Sequence, residues 1–221
     1  MDWQSIFLSF KLATVTTLLL LGICLPVAWW FSRKKSFYKI VLEAIFSLPL
    51  VLPPTVLGFY LLVCMSPNSL LGKYWALLSD ENLVFSFNGL VVGSVIYSLP
   101  FVLRPIQNAF ESIDIKLIEM AATLRYSPKE IFWHIYLPLS KPAILTAAVL
   151  GFAHTLSEFG VVLMLGGNIP GKTRTVSIAI YDAFENSNYH QAHQLALFML
   201  ILSFIILFIV YGLNRKWNYI L

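Results

Sequence analysis

Five long apolar segments restrict this chain more than any other feature of its sequence. They are separated by polar stretches and cover residues 10–31, 40–65, 83–103, 142–164 and 196–213. Each has about 18 to 26 residues, close to the roughly 20 that an α-helix needs to cross about 30 Å of hydrocarbon. The pattern therefore predicts an all-α integral membrane protein, with five transmembrane helices in a single domain over residues 1–221.

The composition agrees with a membrane location. Hydrophobic residues make up 58% of the chain and charged residues only 12%, and the mean hydropathy is +0.78. A soluble domain would have about a quarter charged residues. The basic excess, 15 Lys and Arg against 11 Asp and Glu, could indicate a nucleic-acid partner. The positive-inside rule gives a simpler reason, so we expect membrane lipid and no nucleic acid.

The distribution of Lys and Arg predicts how the chain crosses the membrane. If the amino terminus lies outside, residues 32–39, residues 104–141 and the tail after residue 213 lie inside. These three stretches hold eleven of the fifteen Lys and Arg residues. We therefore predict the amino terminus outside and the carboxyl terminus inside, with residues 104–141 in the cytoplasm.

A polar stretch, "EMAATLRYSPKEIFWHIYLP" at residues 119–138, is patterned like two short helices. Asp114 is expected to cap the first helix. Ser127 and Glu130 are expected to form a capping box at the start of the second. Pro138 is predicted to end that helix. Long loops in compact proteins usually have a function, so we expect residues 111–138 to form a functional cytoplasmic loop. A mere connector between spans is the alternative.

The spacing in this stretch resembles the coupling loop of type I binding-protein-dependent ABC importer permeases. That pattern is Glu-Ala-Ala, three residues, Gly, nine residues, Ile-x-Leu-Pro. The corresponding residues of this chain are Glu119, Met120, Ala121, Arg125, Ile135, Leu137 and Pro138. Met120 and Arg125 depart from the pattern. Gly permits a left-handed turn, which Arg adopts at a cost of roughly 1 kcal/mol. The resemblance implies that the loop docks on an ATPase subunit, and we expect Ile131, Phe132 and Ile135 to form its apolar surface.

Two further stretches narrow the resemblance. "LPLVLPPTVLGFYLL" at residues 48–62 and "SEFGVVLMLGGNIPGKTRT" at residues 157–175 resemble the molybdate permease subfamily, whose close relatives carry tungstate or sulfate and thiosulfate. The resemblance implies a type I ABC importer permease fold and a homodimer in the bacterial inner membrane. It also implies two cytoplasmic ATPase subunits and a periplasmic oxyanion-binding protein. No stretch resembles a P-loop. We therefore expect a transport subunit rather than an enzyme, with no cofactor of its own and with ATP hydrolysed by its partner.

Ionisable residues in the fourth segment form a candidate site. His154, Ser157 and Glu158 are spaced i, i+3 and i+4 and would share one helical face. Such groups are costly at membrane depth unless they are paired or face a cavity. We expect Glu158 to be a hydrogen-bonded anchor near the outer gate, with direct substrate contact as the alternative. These two ionisable groups alone do not suggest a metal site.

Residues that break helices, and charges of the outer loop, complete the candidates. Pro53 and Pro54 interrupt the second segment, and Gly160 follows Glu158 in the fourth. Broken helices are tolerated where they line cavities, so these residues are pathway or gate candidates, and ordinary kinks are the alternative. Lys172 and Arg174 could attract an oxyanion or contact the binding protein; a solvated loop is the alternative.

The expected function is therefore that of a permease subunit that passes molybdate inward by alternating access. A permease for tungstate or for sulfate and thiosulfate is an alternative within the same class. An ion-driven secondary transporter belongs to another class; such proteins often have inverted repeats, and no convincing repeat is present here. A membrane-bound enzyme would need convergent catalytic groups, of which only His154 and Glu158 give a hint.

Overall fold

The computed structural model describes residues 2–33, 36–79 and 81–218. Residues 1, 34, 35, 80 and 219–221 of the predicted domain lie outside this set. Within the described residues every regular element is a helix. The α-helices are α1 Trp3–Arg33, α2 Phe37–Val51, α3 Pro54–Met65, α4 Leu70–Ser79, α5 Phe87–Glu111, α6 Ile115–Thr123, α7 Pro128–Ile131, α8 Leu137–Leu139, α9 Lys141–Ser157, α10 Gly160–Gly166, α11 Val176–Glu185 and α12 Tyr189–Asn218. A π turn, Phe132–Tyr136, joins α7 to α8.

Three helices in the described part of the chain, α1, α5 and α12, are each long and apolar enough to cross a membrane. Two pairs of helices pass the same test only when joined across a bend. One is α2 with α3, at 114°, and the other is Pro128–Leu139 with α9, at 73°. The described residues therefore contain three candidate spans, or up to five if each bent pair is one span.

The bend between α2 and α3 follows from local sequence. Leu52 is extended, with φ −71° and ψ 135°, because a residue before proline is pushed out of the helical region. Pro54 then occupies the first turn of α3, where its missing N–H costs no hydrogen bond. Pro53 and Pro54 therefore divide the second apolar segment into two helices.

The helices α1, α5 and α9 pack against each other and form the centre of the molecule. Their contact buries a cluster that includes Leu20, Phe31, Val102 and Ile106. Gly151 on α9 faces Val102 closely enough that a β-carbon there would collide with its side chain. A second apolar cluster forms where α3, α5 and α10 meet. By contrast, only 6% of the most apolar window of α12 is buried within the chain.

Candidate functional site

Both helices of the polar loop have the caps that their sequences predict. Asp114 accepts a hydrogen bond from the backbone N–H of Lys116 at 2.9 Å. The backbone N–H of Ser127 donates to Glu130 Oε2 at 2.7 Å, and the N–H of Glu130 donates to Ser127 Oγ at 3.3 Å. The bond from the Ser127 N–H is the main reason that the pKa of the Glu130 carboxyl is lowered. The turn between the helices is therefore held by local hydrogen bonds.

Arg125 adopts the left-handed conformation, with φ 63°, at the position where the permease pattern has Gly. Its N–H donates to the carbonyl of Ala122, and the N–H of Tyr126 donates to that of Ala121, both at 3.0 Å. This pair of bonds is a Schellman motif, in which glycine normally takes the left-handed place. The substitution of Arg for Gly therefore keeps the turn and adds backbone strain.

The prediction that Pro138 ends the second helix is wrong. The chain stays helical to Leu139, because the π turn shifts the hydrogen-bond register before the proline. The N–H of Leu137 bonds to the carbonyl of Phe132, five residues earlier. Such a shift allows a helix to pass a residue that lacks an N–H. Pro138 itself is exposed and Leu137 is half-buried.

Ile131, Phe132 and Ile135 do not form the exposed surface that was expected. Ile131 is 6% exposed, and Phe132 and Ile135 are partly buried against the same core cluster. The ring of Phe132 lies 5.0 Å from that of Trp29 on α1. The apolar side of the second helix therefore faces the chain's own transmembrane helices, because these offer an apolar surface on the same side of the loop.

Other apolar side chains of the loop are exposed to the outside of the molecule. Met120 is 63% exposed, Leu124 72% and Trp133 65%. Glu119 is exposed beside them, whereas Ala121 is buried in the core cluster. We define the exposed loop face as Met120, Leu124, Tyr126 and Trp133. Sequence reasoning included Met120 but not the other three residues, because the exposed side of each short helix is decided by what covers the other side.

Glu158 lies at a break between two helices, and its side chain is buried. The helix α9 ends at Ser157 and α10 begins at Gly160. Glu158 is 4% exposed, and its Oε2 accepts a hydrogen bond from Ser94 Oγ on α5 at 2.9 Å. Its Oε1 is buried with no hydrogen-bond partner in the described residues. The hydroxyl of Ser177 on α11 donates to the Glu158 carbonyl, so contacts with both α5 and α11 hold the break.

His154 is held by α5 one turn before the break. Its Nδ1 lies 2.9 Å from Ser98 Oγ, and its ring stacks on that of Phe101 with 3.8 Å between centroids. Ser157 is exposed, and its hydroxyl donates back to the carbonyl of His154 at 3.1 Å. The expectation that His154, Ser157 and Glu158 share one helical face fails at Glu158, because α9 ends at Ser157 and Glu158 is extended, with φ −66° and ψ 134°. Ser94 and Ser98, one turn apart on α5, are the partners that sequence analysis missed.

The break between α2 and α3 lies against the break between α9 and α10. A β-carbon added at Gly160 would lie 2.7 Å from Cβ of Pro54, and one at Gly58 would lie 2.9 Å from Cβ of Met164. Both distances are too short for real contacts, so only Gly lets α3 and α10 approach this closely. The structure thereby brings together Pro54, Glu158 and Gly160 from two distant parts of the sequence.

Arg174, in the loop between α10 and α11, is already paired. Its Nε donates to Asn168 Oδ1, and its Nη2 lies 3.6 Å from Asp182 Oδ2. The amide of Asn168 donates to Asp182 Oδ1 at 2.6 Å, which closes the group. Arg174 therefore braces the loop onto α11 instead of presenting a free charge. Lys172 is exposed and takes no part in these contacts.

Across residues 2–33, 36–79 and 81–218, no three His, Cys, Asp or Glu side chains lie together in a way that could hold a metal ion. His154 and Glu158 instead have neighbouring hydroxyl groups as partners.

Comparison with known proteins places the chain in one family. A family model described as the binding-protein-dependent transport system inner membrane component matches residues 19–219. The molybdenum transport system permease protein ModB of Azotobacter vinelandii is 52% identical over 214 residues, which cover 97% of this chain and 95% of that protein. ModB of Haemophilus influenzae is 38% identical over 217 residues, 98% of this chain and 95% of that protein.

A solved structure has the same fold. It is a bacterial alginate ABC transporter in complex with its alginate pentasaccharide-bound periplasmic protein. The match has a TM-score of 0.79 at 16% identity and covers 96% of this chain and 78% of that chain. Because the family model covers nearly the whole sequence, this chain belongs to the inner membrane components of binding-protein-dependent transport systems.

Proposed function

We propose that this chain is the permease subunit of an ATP-driven importer that carries molybdate across the bacterial inner membrane. The observation that carries the proposal is the 52% identity, over 97% of the chain, with a molybdenum transport permease. Transport would proceed by alternating access, in which the pathway opens to one side of the membrane at a time. The permease itself performs no chemistry.

The complete importer would contain two copies of this chain, two cytoplasmic ATPase subunits and a periplasmic oxyanion-binding protein. The alginate transporter with the same fold was solved together with a periplasmic protein, which supports a binding-protein partner. The apolar surface of α12, of which 6% is buried within the chain, is available to lipid and to a second copy. In the proposed topology, five spans place the amino terminus outside and the carboxyl terminus inside.

Coupling to ATP would use the loop of residues 111–138, with the exposed loop face as its contact with the ATPase. An apolar surface of this kind is costly to leave in water, and a cytoplasmic partner would cover it. The opposite side of the same loop packs against α1 and α5 through Ile131 and Phe132. A shift of the loop would therefore be transmitted directly to transmembrane helices.

The substrate pathway would pass near the adjacent breaks at Pro53–Pro54 and Glu158–Gly160. Half-helices that meet inside the membrane commonly surround the substrate site of transporters. Glu158 would anchor the break through Ser94 and would not bind molybdate, because a carboxylate repels an oxyanion. Lys172 would attract the anion or meet the binding protein at the outer surface, and Arg174 would keep its loop in place.

The decisive experiment measures uptake by the reconstituted complex of permease, ATPase and binding protein in liposomes. We expect ATP-dependent uptake of labelled molybdate that needs the binding protein, with sulfate as a weak competitor. Competition by unlabelled tungstate and sulfate in parallel defines the oxyanion selectivity. Uptake driven by an ion gradient without ATP would refute the importer. Preferred uptake of sulfate would replace molybdate as the substrate but keep the mechanism.

A further inference from the structure

Three polar pairs join α2 to α5 like the rungs of a ladder. Arg104 Nη2 donates to Ser47 Oγ at 2.7 Å, and Gln107 Nε2 donates to Glu43 Oε1 at 2.5 Å. Lys39 Nζ donates to Glu111 Oε1 at 2.8 Å. We define the polar ladder as Lys39, Glu43, Ser47, Arg104, Gln107 and Glu111.

The rungs follow the geometry of two antiparallel helices. The three ladder residues of α2 are spaced i, i+4 and i+8, and those of α5 are spaced i, i+3 and i+7, so each set occupies one helical face. Gln107 lies at the centre of the ladder and is 3% exposed. Its amide nitrogen also donates to Glu111 at 2.9 Å, whereas its Oε1 is buried with no partner in the described residues. The ladder lies at the end of α5 that leads into the coupling loop.

The two helices of the bent pair α2 and α3 are held in different ways. The half α3 packs against α10 with close backbone contact at Gly58 and Gly160. The half α2 has a single fully buried residue, Pro49, and its apolar contacts with the core come from the half-buried Leu42 and Phe46. The polar ladder therefore supplies much of the attachment of α2, and the 114° bend at Leu52–Pro53 separates it from α3.

We infer that the polar ladder is a latch that is formed in one transport state and released in another, as α2 moves relative to α5. This inference rests on the proposed function, since it needs two alternating states. Interlocked apolar side chains resist such a movement, because a core is close-packed. Polar pairs can exchange their partners for water when they separate. The side chains of Lys39 and Glu111 are 19% and 38% exposed, so water already reaches the outermost rung.

A charge exchange tests whether the rungs control coupling. The readout is ATPase activity of the complex with molybdate-loaded binding protein, divided by its activity without that protein. Lys39→Glu places three carboxylates around Gln107, and we expect the ratio to fall about tenfold, as for loss of a hydrogen bond to a charged group. The double variant Lys39→Glu with Glu111→Lys restores an opposite pair and should return the ratio to within about twofold of the original. Lys73→Glu on α4 is the matched control and should leave the ratio unchanged.

A distance measurement tests the movement itself. Spin labels at Tyr38→Cys and Asn108→Cys, in a chain with Cys64→Ser and diluted into unlabelled permease, report the separation of α2 and α5. We expect the distance distribution to differ between the nucleotide-free and ATP-trapped complexes. A label pair on α3 and α10, at Tyr60→Cys and Met164→Cys, should stay unchanged.

The outcomes separate the two proposals. A wild-type complex without ATP-dependent molybdate uptake would refute the proposed function. Normal uptake with the same α2–α5 distance in both states would refute the latch alone, as would a single Lys39→Glu variant with the wild-type ratio. A double variant that is no better than the single one would mean that the ladder is only a structural support.

Discussion

Arg125 has a conformation that its side chain disfavours. Its φ of 63° lies in the left-handed region, which costs a residue with a β-carbon roughly 1 kcal/mol or more. The turn survives because the two carbonyl acceptors at the end of α6 are satisfied by the N–H groups of Arg125 and Tyr126. The positive charge at a helix carboxyl terminus offsets part of the strain, by up to about 1 kcal/mol.

We therefore predict that Arg125→Gly slows local opening of this turn relative to Arg125→Ala. Both variants lose the charge, but only Gly removes the clash of the β-carbon in the left-handed region. A difference of about 1 kcal/mol corresponds to roughly fivefold slower hydrogen–deuterium exchange of the Arg125 and Tyr126 amides. Equal exchange in the two variants would show that the position carries no strain.

Arg174 shows how pairing within the chain changes the role of a charged residue. Its position in the predicted outer loop suggests an anion contact, but its pairing with Asn168 and Asp182 uses the guanidinium within the chain. A substitution of Arg174 would thus disturb the loop as well as the charge. Lys172 is the residue at which an effect of charge alone can be measured.

The second helix of the coupling loop has two sides with different partners. Ile131 and Phe132 face α1 and α5, whereas Trp133 projects away from the molecule. The π turn at Phe132–Tyr136 inserts an extra residue in the helical turn and so carries the helix through Pro138. One short element therefore connects the transmembrane helices to a proposed cytoplasmic partner.

We predict that Trp133→Ala weakens binding of the ATPase subunit tenfold or more, since a buried aromatic anchor contributes about 2 kcal/mol or more to an interface. Pull-down or light scattering of the detergent-solubilised complex measures the affinity. Leu77→Ala is the matched control, because Leu77 is 81% exposed but lies on α4. Unchanged ATPase affinity in Trp133→Ala would remove Trp133 from the contact.

On the other side of the same helix, Ile131→Ala should lower the free energy of unfolding of the permease by about 2 to 5 kcal/mol.

The topology of the whole molecule depends on the bent pair of α2 and α3. At a bend of 114°, the pair either crosses the membrane as a broken span or returns to the side from which it entered. These possibilities differ in where α4 lies. The basic residues favour a crossing, because eleven of the fifteen Lys and Arg then lie inside.

We predict that a reporter active only in the cytoplasm is active when fused after Lys35 or Leu221 and silent when fused after Lys73. A second reporter, active only outside, should show the reverse pattern and serves as the control. The physical reason is the cost of moving the basic stretches across the membrane. Cytoplasmic activity after Lys73 would mean that α2 and α3 form a re-entrant loop and that the five-span topology is wrong.

Local chemistry accounts for the features that were predictable from sequence. Apolar runs of membrane-spanning length lead to helices, because a backbone in lipid must satisfy its hydrogen bonds within the segment. The caps at Asp114 and Ser127 and the break at Pro53–Pro54 also depend on neighbouring residues alone. The family motif in the loop was recognisable for the same reason, since its residues are close in sequence.

Tertiary packing decided the rest, because the partners are far apart in sequence. The break at Glu158 follows no proline and is held by Ser94 and Ser177 from two other helices. Which side of the coupling loop is buried depends on the position of Trp29 and Phe110. The rungs of the polar ladder join residues 57 to 72 positions apart. Hydropathy and helical spacing describe one segment at a time, and they do not specify which faces of two segments meet.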